Sequence, residues 1–371
     1  MHPIEASVPV PLAGAGSSLE RARISVPAGT QEPRTARHRT STAARSGLLI
    51  SQSSKIDCAQ SLALHSGDHS ACRNAALTLL AQRESQAGLM TAVATRMAVL
   101  SGNSAKAPSG QSYTARAACA YHLDGGGRRV RARLALHAAL SLGLESPDAV
   151  TIAVTAELLH NASLIHDDLQ DRDRKRHGID AVWVRFGDGV ALCAGDLLLS
   201  AAYGALASFS RSDALPGLIG LVHDAVGSAV SGQSSETAPP PKIDPRAGWY
   251  EAIAAQKSGS LLSLPIELAL VGAGQTSALP LARRASEAFA VGYQIADDIE
   301  DVSSDAQRQG TSSSSNFILA LRAAGLADEA MAEARRVAAK YLLTAATLAE
   351  GLPDGCGDLL KDLALQCTAT L

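Results

Sequence analysis

Two stretches of this chain, with acidic residues 130 positions apart, close an apolar run with the same pattern. One is AVTIAVTAELLHNASLIHDDLQD, ending in Asp167, Asp168 and Asp171; the other is GYQIADDIED, ending in Asp297, Asp298 and Asp301. On a helix, residues three and four apart share a face, so each set of three carboxylates points the same way. Like charges at that spacing repel, and the cluster costs stability unless a cation binds it. A solvated acidic turn explains one such cluster; two, each at the end of a core-like helix, point to six carboxylates meeting across a hollow. Oxygen ligands at that density suit a hard cation such as Mg²⁺, which keeps several waters and binds through a few carboxylates and substrate phosphates. His160, His166 and His177 lie nearby but form no HxxxH pair, so a transition-metal centre is the poorer choice.

Composition agrees with helices. Of 371 residues, 46% are hydrophobic but only 3% aromatic; alanine and leucine favour helices, whereas strands prefer aromatic and β-branched residues. The spacing predicts helices at 111–123, 127–143, 148–172, 188–210, 213–231, 246–272, 279–303, 316–324, 327–350 and 356–369, after a first one running from Ser66 or Asp68 towards Leu100. Pro265 should kink the helix over 246–272. No stretch alternates like a strand, and the architecture predicted is all-α, with one large helical domain over 66–371. Residues 1–65 hold Pro, Gly, Ser, Thr and Arg without periodicity and read as a disordered extension. Six arginines against three glutamates before residue 50 faintly resemble an organellar transit peptide, but a cytoplasmic protein with a flexible tail is the preferred reading.

Several functional classes are disfavoured. A net charge of -3 gives no basis for nucleic-acid binding, so any phosphate contact must be local. The six cysteines (Cys58, Cys72, Cys119, Cys193, Cys356, Cys367) form no CxxC pair, which argues against a disulfide framework or zinc site. No uninterrupted apolar run reaches the length of a transmembrane segment, and the N-terminus has no signal-peptide pattern.

Local cations complete the picture. GGGRRVR sets Arg128, Arg129 and Arg131 just after three glycines at a helix start, where open backbone N–H groups, a positive dipole end and guanidinium forks suit an anion. Lys257, with Ser258, is the lone cation of AIAAQKSGSLL; it either snorkels or meets a phosphate. Arg172, Arg174, Lys175 and Arg176 follow the first acidic cluster.

The order GGGRRVR, HDDLQDRDRKRHG, AGDLLLSAAY, QKSGSLL and GYQIADDIED resembles the trans-polyprenyl diphosphate synthases over residues 115 to 305. The resemblance implies a type I isoprenoid synthase bundle of about ten helices around a central cavity, and a homodimer. It implies three Mg²⁺ ions, bound with an allylic diphosphate (dimethylallyl, geranyl or farnesyl) by Asp167, Asp168, Asp171, Asp297, Asp298 and Asp301. By position, Arg176 and Lys257, with Ser258 and His177 beside them, match contacts to diphosphate. Arg128, Arg131 and His160 match the pocket for isopentenyl diphosphate, and Gln294 a glutamine near the reacting centre. Three features depart from the family: His177 stands where a second arginine is usual, Arg128 where a lysine is expected, and SSDAQRQGTSSSSN replaces a glycine- and lysine-rich stretch, leaving Arg308 as its nearest cation.

Small residues at Ala162 and Ser163, one turn before the first aspartates, leave room for a long product, with Leu159, about 12 Å below Asp167, as a candidate floor. Geranylgeranyl diphosphate is the product favoured; shorter or longer chains, a non-catalytic partner subunit and a type I terpene cyclase are the alternatives. Twelve aromatic residues (Trp 2, Tyr 6, Phe 4) are few for a cyclase cavity.

Overall fold

The computed structural model describes residues 69–102, 114–237, 248–308, 316–326 and 329–371, all within one compact unit, Leu48–Leu371. The reading of residues 1–65 as a disordered extension, the starting caps Ser66 and Asp68, and most of the serine–glycine linker before residue 113 lie outside the described residues. The helices are α1 (His69–Leu100), α2 (Ala115–Asp124), α3 (Val130–Ser141), α4 (Ser146–Gln170), α5 (Val182–Phe186), α6 (Asp188–Leu206), α7 (Leu215–Thr237), α8 (Trp249–Ala254), α9 (Ser260–Ala273), α10 (Leu279–Arg308), α11 (Phe317–Ala323), α12 (Ala330–Glu350) and α13 (Asp358–Thr370).

Two helices make the centre. In α4, every residue from Asp148 to Leu159 is buried, and in α9 every residue from Leu261 to Leu270. Helices apolar all round must be enclosed by others. α4 packs against α3, α6 and α9, while α9 also packs against α7 and α10. Pro147 starts α4, at the position where a missing N–H costs least. Thr114 caps α2 by accepting from Ala117 N at 3.2 Å, and Asn316 caps α11 through Ile318 N and Leu319 N.

Helix boundaries agree with the sequence to within a few residues in most cases, and four differences matter. The region after the first acidic cluster contains a hairpin, Lys175–Arg176 paired antiparallel with Ile179–Asp180; two-residue strands are too short to show alternation. The short α5 follows it. α7 continues to Thr237, six residues past its expected end at 231, because serines slow a helix without breaking it. Ser231, Ser234 and Ser235 bond back to the carbonyls of Gly227, Val230 and Ser231, and the helix stops two residues before Pro239. Finally, the helix expected over 246–272 is interrupted by a π-helical turn, Ala255–Gly259, which precedes Pro265.

Among the described residues one helix, α6, is long and apolar enough by length and composition to cross a membrane, with 44% of its apolar window buried inside the protein. The run is not uninterrupted, since Asp196 lies within it. Its packing against α2, α4 and α5 is that of a core helix.

Candidate active site

At the end of α4, Asp167 is half-buried, Asp168 is fully buried and Asp171 is exposed. The hairpin folds the chain back so that Arg176 reaches Asp168. Its Nε donates to Asp168 Oδ1 at 2.9 Å, and Nη2 donates to the same oxygen. Burial pushes the Asp168 carboxyl up, and Arg176 works against that. The other carboxylate oxygen, Oδ2, is buried with no hydrogen-bond partner.

The remaining cations of this run have structural work. Arg172 and Arg174 lie over the Trp183 ring at 5.1 and 5.7 Å, and Arg172 pairs with Asp188 at 2.8 Å. Lys175 pairs with Asp180 at 3.2 Å, and Trp183 Nε1 donates to the Asp173 carbonyl. These contacts clamp the hairpin and leave Arg176 aimed inward. His177 forms the turn in a left-handed conformation, φ 51°, and a Cβ on Gly127 would lie 3.7 Å from its Nε2. The hairpin tip thus sits over the glycine run that precedes α3.

At the start of α3 the expected open N–H groups are partly taken. Glu157, 3% exposed on α4, accepts from Ala132 N at 3.0 Å through Oε2, and its Oε1 lies 4.0 Å from Arg129 Nη1. Arg129 is therefore committed to the interior, donating also to the Leu123 carbonyl at 3.0 Å. Arg128 is exposed and Arg131 half-buried. Burial works against the charge on Arg131, and Glu157 and then Tyr293 favour it. Glu157 escaped sequence reasoning, although a lone acid within AVTIAVTAELL is a signal: a buried charge needs a partner.

His160, on α4, is the meeting point. Its pKa is held well below the usual value by burial first, and then by Arg131, His122, Arg176 and His177. His122 is likewise lowered to about 4, by burial and then Arg176. Both rings are neutral at pH 7, so their neighbourhood takes its positive charge from the guanidiniums alone.

The second acidic cluster is on α10, which does not end there but runs on to Arg308. Asp297 and Asp301 are exposed, Asp298 buried. Asp298 Oδ2 accepts from Tyr250 OH and from Phe317 N, both at 2.7 Å; Oδ1 accepts from Gln294 Nε2 at 3.4 Å. Asn316 Nδ2 donates to the Asp298 carbonyl at 2.9 Å and to Asp305 Oδ2 at 3.0 Å. Burial raises Asp298 to about 6 despite the Phe317 N–H and Tyr250 bonds. Partial desolvation, Asp301 and Glu300 raise Asp297, while Arg128 lowers it. Arg128 therefore links the start of α3 to this acidic cluster.

Lys257 and Ser258, both half-buried, stand on the π-helical turn. α7 comes against that turn closely enough that a Cβ on Gly232 would lie 2.6 Å from Lys257 N; any side chain there would push the two elements apart. Beside it, Gln233 is 9% exposed, with both amide atoms buried and unpartnered. Its sequence signal was masked when the helix was ended at 231. Below the first acidic end, Leu159 and Ala162 are buried and Ser163 is half-buried, with its hydroxyl donating to the His160 carbonyl at 2.9 Å.

The donor chemistry fits Mg²⁺. All six aspartates offer oxygen, and Asp168 Oδ2 is an orphaned buried acceptor. Among the described residues no three His, Cys, Asp or Glu side chains close around one point, so phosphate and water would have to complete a coordination shell, as is usual for this ion.

The sequence model of the polyprenyl synthetase family matches residues 113–317, more than half of the chain. The chain belongs to the polyprenyl synthetase family. It is 30% identical over 189 residues to a short chain isoprenyl diphosphate synthase of Methanothermobacter thermautotrophicus, covering 51% of this chain and 58% of that one. Against the heterodimeric geranylgeranyl pyrophosphate synthase large subunit 1, chloroplastic, of Arabidopsis thaliana it is 34% identical over 212 residues, covering 53% and 57%. The matched part is thus little more than half the length of these curated relatives. The solved geranylgeranyl pyrophosphate synthetase from the archaeon Geoglobus acetivorans superposes with a TM-score of 0.63 at 21% identity, covering 75% of this chain and 97% of that one. At that identity the likeness establishes the fold: an all-α type I isoprenoid synthase bundle.

Proposed function

We propose that the chain is a trans-prenyltransferase that condenses isopentenyl diphosphate with an allylic diphosphate and releases diphosphate. The observation that carries this reading is at His160. Arg131 and Arg176 both lower its pKa, Arg176 bonds the buried Asp168 at 2.9 Å, and the hairpin tip lies over the glycine run before Arg131, so guanidiniums from separate stretches share one neighbourhood beside an acidic helix end.

Arg176 and Lys257, with Ser258 beside them, hold the allylic diphosphate. Arg128, Arg131, His160 and His177 receive the second diphosphate, which needs no metal. Of the six proposed metal residues, Asp167, Asp171, Asp297 and Asp301 sit at or near the surface as ligands. Asp168 and Asp298 contribute from within, Asp168 with one oxygen unpartnered and Asp298 by holding the start of α11. Mg²⁺ bound there would supply positive charge against the departing diphosphate. Lys257 and Arg176 do the same from the protein, favouring the transition state because charge grows on the leaving oxygen as the C–O bond breaks. The isopentenyl double bond attacks the allylic carbon, the diphosphate leaves with the bonding pair, and a proton passes to a diphosphate oxygen. Gln294, bonded to Asp298, would orient groups near that carbon. The apolar helices exclude water, which would quench the cation.

We assign geranylgeranyl diphosphate as the product, with Leu159, Ala162 and Ser163 governing length. Incubation of the purified protein with Mg²⁺, isopentenyl diphosphate and each allylic starter should give a twenty-carbon chain by mass. No elongation from any starter would overturn the reading and favour a non-catalytic subunit; a cyclic hydrocarbon would favour a cyclase.

We also propose a homodimer built on α6. Leu192 is 52% exposed with Cys193 exposed beside it, on a helix whose other residues are mostly small or apolar. Leu192→Arg should halve the mass seen by light scattering, since burying an unpaired charge in an apolar interface is costly. An unchanged mass would remove α6 from the interface.

A further inference from the structure

In an α-helix each N–H donates to the carbonyl four residues earlier. The residue at 265 would serve the Leu261 carbonyl, but proline has no N–H. Leu261 is 5% exposed and Pro265 is buried within α9, and a buried carbonyl without a donor is costly. The donor comes from a different helix: Arg131 Nε, on α3, bonds Leu261 O at 3.3 Å.

We propose that Pro265 is a positioning residue for the second diphosphate pocket: by vacating the Leu261 carbonyl it creates the acceptor that orients the Arg131 guanidinium. This rests on the assignment of Arg131 to that pocket. A guanidinium is a planar fork, and its value for a diphosphate depends on the angle of that plane. Holding Nε fixes the plane while the other N–H groups keep their fork geometry. On the opposite side Glu157 accepts from Ala132 N at 3.0 Å, securing the backbone next to Arg131. The side chain is thus held through α9 and its backbone through α4. A proline in the middle of a fully enclosed helix is otherwise unfavourable, and α9 would be straighter and better bonded without it.

The test uses Pro265→Ala and Pro265→Ser in the full chain. Either residue restores an N–H to Leu261 O, so the thermal midpoint should hold or rise. The KM for isopentenyl diphosphate should rise about tenfold, the loss expected for one misaligned charge-assisted contact, with kcat and the allylic KM within about twofold of the parent. A proline acting only on helix shape would move the midpoint and not split the two KM values. Calorimetric titration of isopentenyl diphosphate, which needs no turnover, should show the same weakening. In an Arg131→Met background the proline substitution should add nothing, because the coupled partner is gone. Equal binding of isopentenyl diphosphate by parent and folded Pro265 variants overturns the inference. Absence of elongation by the parent protein instead overturns the proposed function, so the two failures are separable.

Discussion

Asp167→Ala should lower the rate of chain elongation by about a thousandfold, the scale on which single groups opposing transition-state charge act, and leave the thermal midpoint unchanged. Asp167 is half-buried at the tip of α4 and is one of the proposed metal ligands, so its loss should remove charge stabilisation without opening the core. Asp297→Ala, at an exposed position of α10, should behave alike. Initial rates over a Mg²⁺ titration provide the measurement. Raising Mg²⁺ should recover part of the lost rate, because the weakened ion is then driven on by concentration. A parental rate in either variant at ordinary Mg²⁺ would mean that these carboxylates are ornaments of their helices.

Asp298 should behave differently from its neighbour. Asp298→Ala strips the partner from the Phe317 N–H and from Tyr250 OH, each bonded at 2.7 Å. Buried donors left without acceptors cost about 1–3 kcal/mol each, so the variant should be less stable by several kcal/mol as well as inactive. The damage should centre on the start of α11. Hydrogen exchange at Phe317 and Ile318 reads this directly; protection equal to the parent's would contradict it. Spacing alone gives every aspartate of a DDxxD cluster the same standing, so this structural cost is not visible in the sequence.

The same carboxyl gives the metal-free protein a pH dependence. Burial raises Asp298 to about 6 from 3.8, so the folded state prefers its protonated form. The associated stability is fully present below about 3.8 and is lost as pH rises through about 6. Asp298→Asn, which cannot ionise, should flatten the midpoint-against-pH curve between those limits when measured with a chelator. A curve unchanged by the substitution would show that the carboxyl is ionised throughout.

Much of the site was legible because its signals are local. The acidic clusters, the glycine–arginine run and the lysine among small residues can each be found in fewer than ten letters. The roles within each cluster could not be read. In RDRKR four cations look alike, yet three hold Trp183, Asp188 and Asp180, and only Arg176 turns back to Asp168. That division depends on a two-residue hairpin and on a tryptophan ten residues away. Glu157 was hidden inside an apolar run, and Gln233 behind serines taken for a helix end. The bond between Arg131 and Leu261 joins residues 130 apart, and nothing in the letters around either one announces the other.

By itself the sequence determined that the chain is a bundle of helices, two of them carrying clustered carboxylates, because hydrophobic period and like-charge crowding are properties of neighbouring residues. Only the tertiary structure decided which aspartate of each pair is turned inward and which cations are used up in holding a loop. It also decided which carbonyl a proline leaves for an arginine on another helix. Those outcomes follow from the cost of leaving a buried polar group without a partner, and the partner is set by which helices lie side by side.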